Sequence, residues 1–277
     1  MSSAQTEPPR GDESSVAALN AAVYDQEQPY DESPHLRHRS IHDALLARLH
    51  QAVLDVSARG LPLTLLDVGA GAGPFVEPAL AYGCRVVATD VAAPPLDALT
   101  ARYACNPRFA AVLDSDGDLS ALGQETYSIA LYASVLHHIP DYMGALESTL
   151  ARLTPGGALL TFQDPLWYPS LPPHERWAAE AMYVAWRVTQ RRDYVTGVRS
   201  RVRRARGRID PASPSDMVEY HVVRQGVDHQ RIEQTLGSRF THFEVVKYWS
   251  TPSRVGQRLG ERFGLTSDFA TVGLGYR

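Results

Sequence analysis

An α/β fold built on a doubly wound, mostly parallel sheet is what the sequence predicts, and two observations carry that prediction. From residue 63 to 164, short β-rich runs (LTLLDVG, RVVATD, FAAVLD, YSIALYAS and ALLTFQD) alternate with helical stretches or a linker. Strands that alternate with helices pair in parallel through right-handed crossovers, which sends helices to both faces of one sheet. The chain of 277 residues is also 44% hydrophobic and 21% charged, enough to bury one sizeable core. It shows no run of the roughly eighteen apolar residues that a membrane span needs. An integral membrane protein, a fibrous repeat and a disordered chain are therefore excluded. A formal net charge of −4 argues against nucleic acid as a partner of the whole surface. Two cysteines, Cys84 and Cys105, cannot make a disulfide framework or a four-ligand zinc site. The opening MSSAQTEPPRGDESS has neither the basic nor the apolar region of a secretory signal, so a reducing cytoplasm is the expected location.

The elements follow in chain order. Residues 1–14 lack apolar periodicity and are expected to form a disordered tail, ahead of one domain over 15–277. Leu36, Ile41, Leu45, Leu49 and Val53 recur at helical spacing, which predicts an amphipathic helix ending near Gly60 and Pro62. Residues 15–60 then read as an N-terminal helical lid. Leu153-Thr-Pro-Gly-Gly157 is expected to stop a helix over 142–152 and turn the chain into the fifth strand. After Asp164 the alternation lapses, and residues 165–226 are expected to form an inserted cap with a helix over 174–188. Asp228 reads as an N-cap and Gly237 as a helix stop, and two last strands, THFEVVKYWS and FATVGLGYR, close the chain.

The glycine-rich turn Leu66-Asp-Val-Gly-Ala-Gly-Ala-Gly-Pro74 is the most informative segment. Glycines without a Cβ let a strand turn sharply and lie against a ligand, while the next helix presents unpaired N–H groups to it. Its GxGxG spacing lacks the third interval of a dinucleotide-binding turn. Asp90 ends the second strand, where a carboxylate can accept from both ribose hydroxyls of an adenosine. These two features, with Val135-Leu-His-His-Ile-Pro-Asp141 after the fourth strand and Leu153-Thr-Pro-Gly-Gly157, resemble the class I S-adenosylmethionine-dependent methyltransferases over residues 35–277.

The resemblance implies a Rossmann-like seven-stranded sheet, with an α-helical cap after strand five and S-adenosylmethionine as cofactor, S-adenosylhomocysteine being the product. It places Gly69, Ala70 and Gly71 under the methionine and ribose, with Asp67 orienting the loop or holding the amino group. Asp90 and its neighbour Val91 would hold the ribose, and Asp116 with Gly117 the adenine, Asp114 being the second choice. Ala133 and Ser134 would give backbone contacts. Ser128 stands where the family has an acidic residue, at a structural position.

Methyl transfer to a hydroxyl benefits from a base, and a positioned histidine supplies about 10²- to 10⁴-fold. His138 is the first choice, His137 the second, with Asp164 opening onto the same crevice; the double histidine also fits a purely structural role at the helix start. Tyr24 and Tyr30 would fold over the cofactor, or pack. Trp167, Tyr168, Trp177, Tyr183 and Trp186 would line an aromatic substrate pocket in the cap. Beyond the double histidine no ligand cluster is seen, so no metal is expected.

Residues 187–208 hold nine arginines (Arg187, Arg191, Arg192, Arg199, Arg201, Arg203, Arg204, Arg206 and Arg208) in a chain with a single lysine, Lys247. They read as a solvated face, as a dock for an anionic partner, or as an RNA contact that lacks the usual interleaved aromatics. The expected function is methyl transfer to a small-molecule acceptor, oxygen first, in a biosynthetic or tailoring role. The competing readings are a non-methylating cyclisation or rearrangement on the same fold, and modification of RNA, protein or a carrier-bound substrate through the arginine run.

Overall fold

The computed structural model describes residues 33–189 and 226–277. The expected tail, Tyr24, Tyr30, the arginines beyond residue 189 and the second half of the cap lie outside the described residues. The expected N-terminal helix is two pieces, α1 (Pro34–Arg37) and α2 (Arg39–Ala58). Between them His38 is extended, and its Nε2 lies 2.6 Å from the carbonyl oxygen of Thr251, which ties the break to the far end of the chain. Ile41, Leu45, Leu49 and Val53 form the buried stripe of α2, as their spacing predicts.

The strands are β1 (Thr64–Val68), β2 (Arg85–Asp90), β3 (Phe109–Leu113), β4 (Tyr127–Ala133), β5 (Leu153–Pro165), β6 (Phe240–Tyr248) and β7 (Asp268–Tyr276). They form one sheet in the order β3-β2-β1-β4-β5-β7-β6, with β7 the antiparallel member. Helices α3 (Val76–Ala81), α4 (Ala93–Arg102) and α5 (Tyr142–Leu150) follow β1, β2 and β4. The winding direction reverses between β1 and β4, and a crevice opens at their carboxyl ends. One core packs α2 and α3 on the sheet through Leu49, Val56, Phe75 and Phe162. The opposite core joins α5 and α7 (His229–Leu236) through Tyr132, Leu146, Ile232 and Phe269. Ser128, where an acidic residue was the norm, is buried and joins β4 to β1: its Oγ accepts from the Thr64 N–H at 3.1 Å and donates to the Thr64 carbonyl at 3.1 Å.

Two sequence expectations are corrected. Leu153-Thr-Pro-Gly-Gly157 lies inside β5 and does not precede it; the register against β4 shifts between Tyr127 and Ile129 to admit the proline, and Gly156 takes φ +85°. Gly237 stays right-handed at φ −55° and leads into a short 3-10 turn, Gly237–Arg239, so α7 tightens there with no left-handed stop. The stretch between the last two strands, for which the sequence patterning gives no element, contains α8 (Arg254–Phe263). Helix α6 (Pro173–Thr189) lies close to the helix expected over 174–188.

Candidate active site

Asp67 and the turn after β1 build the floor of the crevice. Gly69, Gly71 and Gly73 take φ +65°, +51° and +66°, the left-handed conformation that glycine adopts without a Cβ penalty. Space also demands glycine: a Cβ on Gly69 would lie 2.8 Å from both methyls of Val135, so this loop is pressed against the turn that follows β4. Pro74 precedes α3, and Pro78 falls in its first turn, where a missing N–H is harmless. Asp67 is 1% exposed and neither carboxylate oxygen has a partner among the described residues. Burial, and then the charge of Asp90, push its carboxyl up to about 7. A buried orphan carboxylate beneath a backbone cradle suits a ligand that brings a cation, as the amino group of S-adenosylmethionine does.

Asp90 at the end of β2 is held by two backbone donors, Gly71 N–H to Oδ2 at 2.9 Å and Ala92 N–H to Oδ1 at 3.0 Å. Each oxygen keeps a further lone pair for a ribose hydroxyl. Val91 packs close to Gly117: a Cβ on that glycine would lie 3.6 Å from a Val91 methyl. The two adenine candidates differ clearly. Asp114 is buried and accepts from the Leu119 N–H at 3.0 Å, which shapes its own loop, whereas Asp116 is exposed on the turn beside Gly117. Ala133 and Ser134 end β4 half-buried; Ser134 takes φ +64° while its N–H donates to the Phe162 carbonyl at 2.7 Å. A non-glycine residue held in that region marks strain stored where β4 meets the crevice.

His137 and His138 lie on a 3-10 turn, Leu136–His138, anchored by fully buried Leu136 and followed by α5, whose N-cap Asp141 accepts from the Gly144 N–H at 3.0 Å. It is His137, not the first-choice His138, that engages Asp164. Its Nδ1 lies 2.8 Å from Asp164 Oδ1, and its backbone N–H donates to the same oxygen at 3.1 Å. The rings of the two histidines sit 4.0 Å apart between centroids. Burial pushes His137 down to about 4, so its ring is neutral at pH 7. Asp164 is pushed up to about 7 by burial, against the backbone N–H of His137 and the charge of His138. With Asp164 ionised, Nδ1 carries the hydrogen and the basic lone pair is on Nε2.

Sequence reasoning missed the group that fixes Asp164. The preceding residue, Gln163, takes φ +61° where β5 slips its register against β7. Its Nε2 donates to Asp268 Oδ1 at 2.9 Å and to Ser250 Oγ at 2.7 Å, and its N–H donates to the Tyr248 hydroxyl oxygen at 2.9 Å. The only signal in the sequence was the pair of polar residues, Gln163 and Asp164, ending an otherwise apolar strand. Of the substrate candidates, Trp167 and Tyr168 are half-buried just after β5. Trp177, on α6, is 71% exposed, while the remainder of the expected cap lies outside the described residues. The side chains of Tyr183 and Trp186 lie outside the described residues. Among the described residues no three His, Cys, Asp or Glu side chains are grouped to hold a metal ion.

Residues 66–159, from β1 through most of β5, match the sequence model of a family described as a methyltransferase domain. That segment carries a methyltransferase domain. Over 102 residues it is 33% identical to the ubiquinone biosynthesis O-methyltransferase of Nitrobacter winogradskyi, a stretch that is 35% of this chain and 37% of that protein. The chain thus matches little more than a third of the length of this curated relative. The N-methyltransferase NodS of Bradyrhizobium japonicum WM9, solved with S-adenosylhomocysteine, shares the fold at a TM-score of 0.50 and 15% identity, over 95% of this chain and 98% of that one. The geranyl diphosphate C-methyltransferase of Streptomyces coelicolor A3(2), solved with Mg2+, geranyl diphosphate and S-adenosylhomocysteine, does so at 0.54 and 11%, over 98% and 100%. At such identities these two likenesses concern the fold of the methyltransferase domain, in which the crevice of Asp67, Asp90 and His137 occupies the switch point of the sheet.

Proposed function

We propose that the protein binds S-adenosylmethionine in the glycine-turn crevice and methylates a hydroxyl of a small molecule, in a biosynthetic or tailoring role, with His137 as general base. The observation that carries this reading is the 2.8 Å contact between His137 Nδ1 and Asp164 Oδ1, at the strand ends beside the glycine turn. Asp67 would hold the amino group, Asp90 the ribose and Asp116 the adenine. When bound, the cofactor supplies a methyl group activated on a sulfonium.

The remaining work belongs to the chain. Asp164 holds the imidazole in one tautomer and favours the imidazolium that forms, while Nε2 takes the proton from the acceptor hydroxyl. Trp167 and Tyr168, the first residues after β5, supply apolar surface on which an acceptor can rest.

Calorimetric titration with S-adenosylmethionine and S-adenosylhomocysteine, repeated with Asp90→Ala, tests the cofactor site. Removing the two ribose hydrogen bonds should weaken binding about ten- to a hundredfold, since a hydrogen bond to a charged group contributes about 1.5–3 kcal/mol. Methyl transfer from labelled cofactor to a panel of hydroxylated acceptors tests the base. His137→Ala should lose about 10²- to 10⁴-fold while keeping cofactor affinity, and His138→Ala much less. Folded wild-type protein that binds neither cofactor form refutes the proposal.

A further inference from the structure

Helix α8 is mounted with its apolar row turned to water, and its orientation is fixed from several sides. Ser253 Oγ accepts from the Gly256 N–H at 3.1 Å to start the helix, and Gly264 ends it at φ +62°. The inward face is Gly256, Gln257 and Gly260. A Cβ on Gly260 would collide with the indole of Trp249, and one on Gly256 would come 2.8 Å from the sulfur of Met182 on α6. Trp249 Nε1–H donates to the Gly256 carbonyl at 3.0 Å. Buried Gln257 accepts from the Thr251 N–H at 3.0 Å and donates to the Trp249 carbonyl at 2.8 Å. Rotating the helix would break all of these contacts.

What this mounting presents outward is Val255, Leu259 and Phe263, spaced one turn apart and 68%, 46% and 70% exposed. One position back along the same spacing run Arg254, Arg258 and Arg262, all exposed. None of these arginines has an ion-pair partner among the described residues. At about 100° per residue the two rows lie side by side and fill the solvent face. The neighbouring helix α6 leaves Trp177 71% exposed as well. The one acid of the helix, Glu261, is exposed at the edge of the arginine row and is already engaged: it accepts from Ser40 Oγ–H at 2.8 Å and from Gln257 Nε2 at 3.0 Å.

We propose that this face of α8 docks on an anionic lipid surface, with the apolar row at the acyl boundary and the arginines on headgroup phosphates. Such a surface is complementary to both rows at once. A second copy of the helix would instead bring six arginines into one seam against only two carboxylates, the Glu261 of each copy, each already bonded to Ser40 and Gln257. The face sits in the connection between β6 and β7, at the same end of the sheet as Asp164. The inference does not depend on the chemical reading of the crevice.

Co-sedimentation of the full chain with phosphatidylcholine vesicles, with and without one third phosphatidylglycerol, tests it. Three proteins are compared: wild type, Leu259→Ser/Phe263→Ser, and Arg254→Gln/Arg258→Gln/Arg262→Gln. Because these side chains are exposed, the variants should keep the wild-type circular dichroism and melting temperature. Binding is expected only with the anionic lipid, to fall at least about tenfold in each variant, and to weaken in high salt. Wild-type protein that stays in the supernatant with anionic vesicles overturns the proposal. So does binding that neither variant changes, which would move the dock to another basic segment. A wild-type dimer that the Leu259/Phe263 variant converts to monomer in size-exclusion chromatography also overturns it, and assigns the face to self-association.

Discussion

Asp67 sits buried with both oxygens unpartnered among the described residues, and burial together with the charge of Asp90 lifts its carboxyl to about 7, so a cation delivered there must displace a proton. Below pH 7 the group is mostly protonated and binding requires its ionisation. Above pH 7 the carboxylate is ready. Affinity for S-adenosylmethionine should therefore rise with pH, by close to tenfold per unit below about pH 7, and level off above it. Calorimetry across that range, in buffers of differing ionisation enthalpy, should show proton release that Asp67→Asn abolishes. A flat profile for the wild type would show that Asp67 does not meet the cation. The glycine turn and Asp90 stood out by their place at strand ends, whereas the roles given to Asp67 and Asp116 came only from the family resemblance. The choice between His137 and His138 was not legible: adjacent residues on a 3-10 turn point in different directions, and which one meets Asp164 depends on the bend at Gln163, which has no one-letter signature.

Among the elements, α2 and the strands were readable because their apolar residues face the core at the expected period. Helix α8 was not, since its small and polar residues are the buried ones and its apolar row faces out, the reverse of the pattern that marks a surface helix. Its inward face makes a testable demand. Gly260→Ala should destabilise the protein by about 1–3 kcal/mol, as overpacking does, because the added methyl meets the rigid Trp249 indole. Urea denaturation would measure the loss, and the double variant Gly260→Ala/Trp249→Phe, with a smaller ring, should recover part of it. At the other end of the site, Gly69→Ala adds left-handed strain to a 2.8 Å clash with Val135, and should abolish cofactor binding before it unfolds the chain. Near-wild-type affinity in a folded Gly69→Ala protein would mean that the turn can shift.

Across the whole molecule, several buried groups titrate together. Asp67, Asp164 and Asp268 are each raised by burial from 3.8 to about 7, while His137 and His229 are lowered by burial from 6.5 to about 4. The carboxyls hold protons in the folded state that the unfolded chain has already lost, so each removes stability as pH rises from about 4 to 7. The histidines have the opposite sign over about 4 to 6.5 and offset part of this. Asp67→Asn removes one carboxyl from the balance. It should therefore stabilise the cofactor-free protein more at pH 8 than at pH 5, a difference that melting curves at the two pH values would show. The doubly wound class was legible from the alternation of strands and helices. The antiparallel β7 between β5 and β6 was not legible, because local patterning does not state pairing order. That order has a consequence for folding kinetics. The apolar edge of β5 stays unpaired until β7, the last strand to emerge during synthesis, slots in beside it, so the nascent chain exposes a template for aggregation while its slowest, most non-local pairing is still to come.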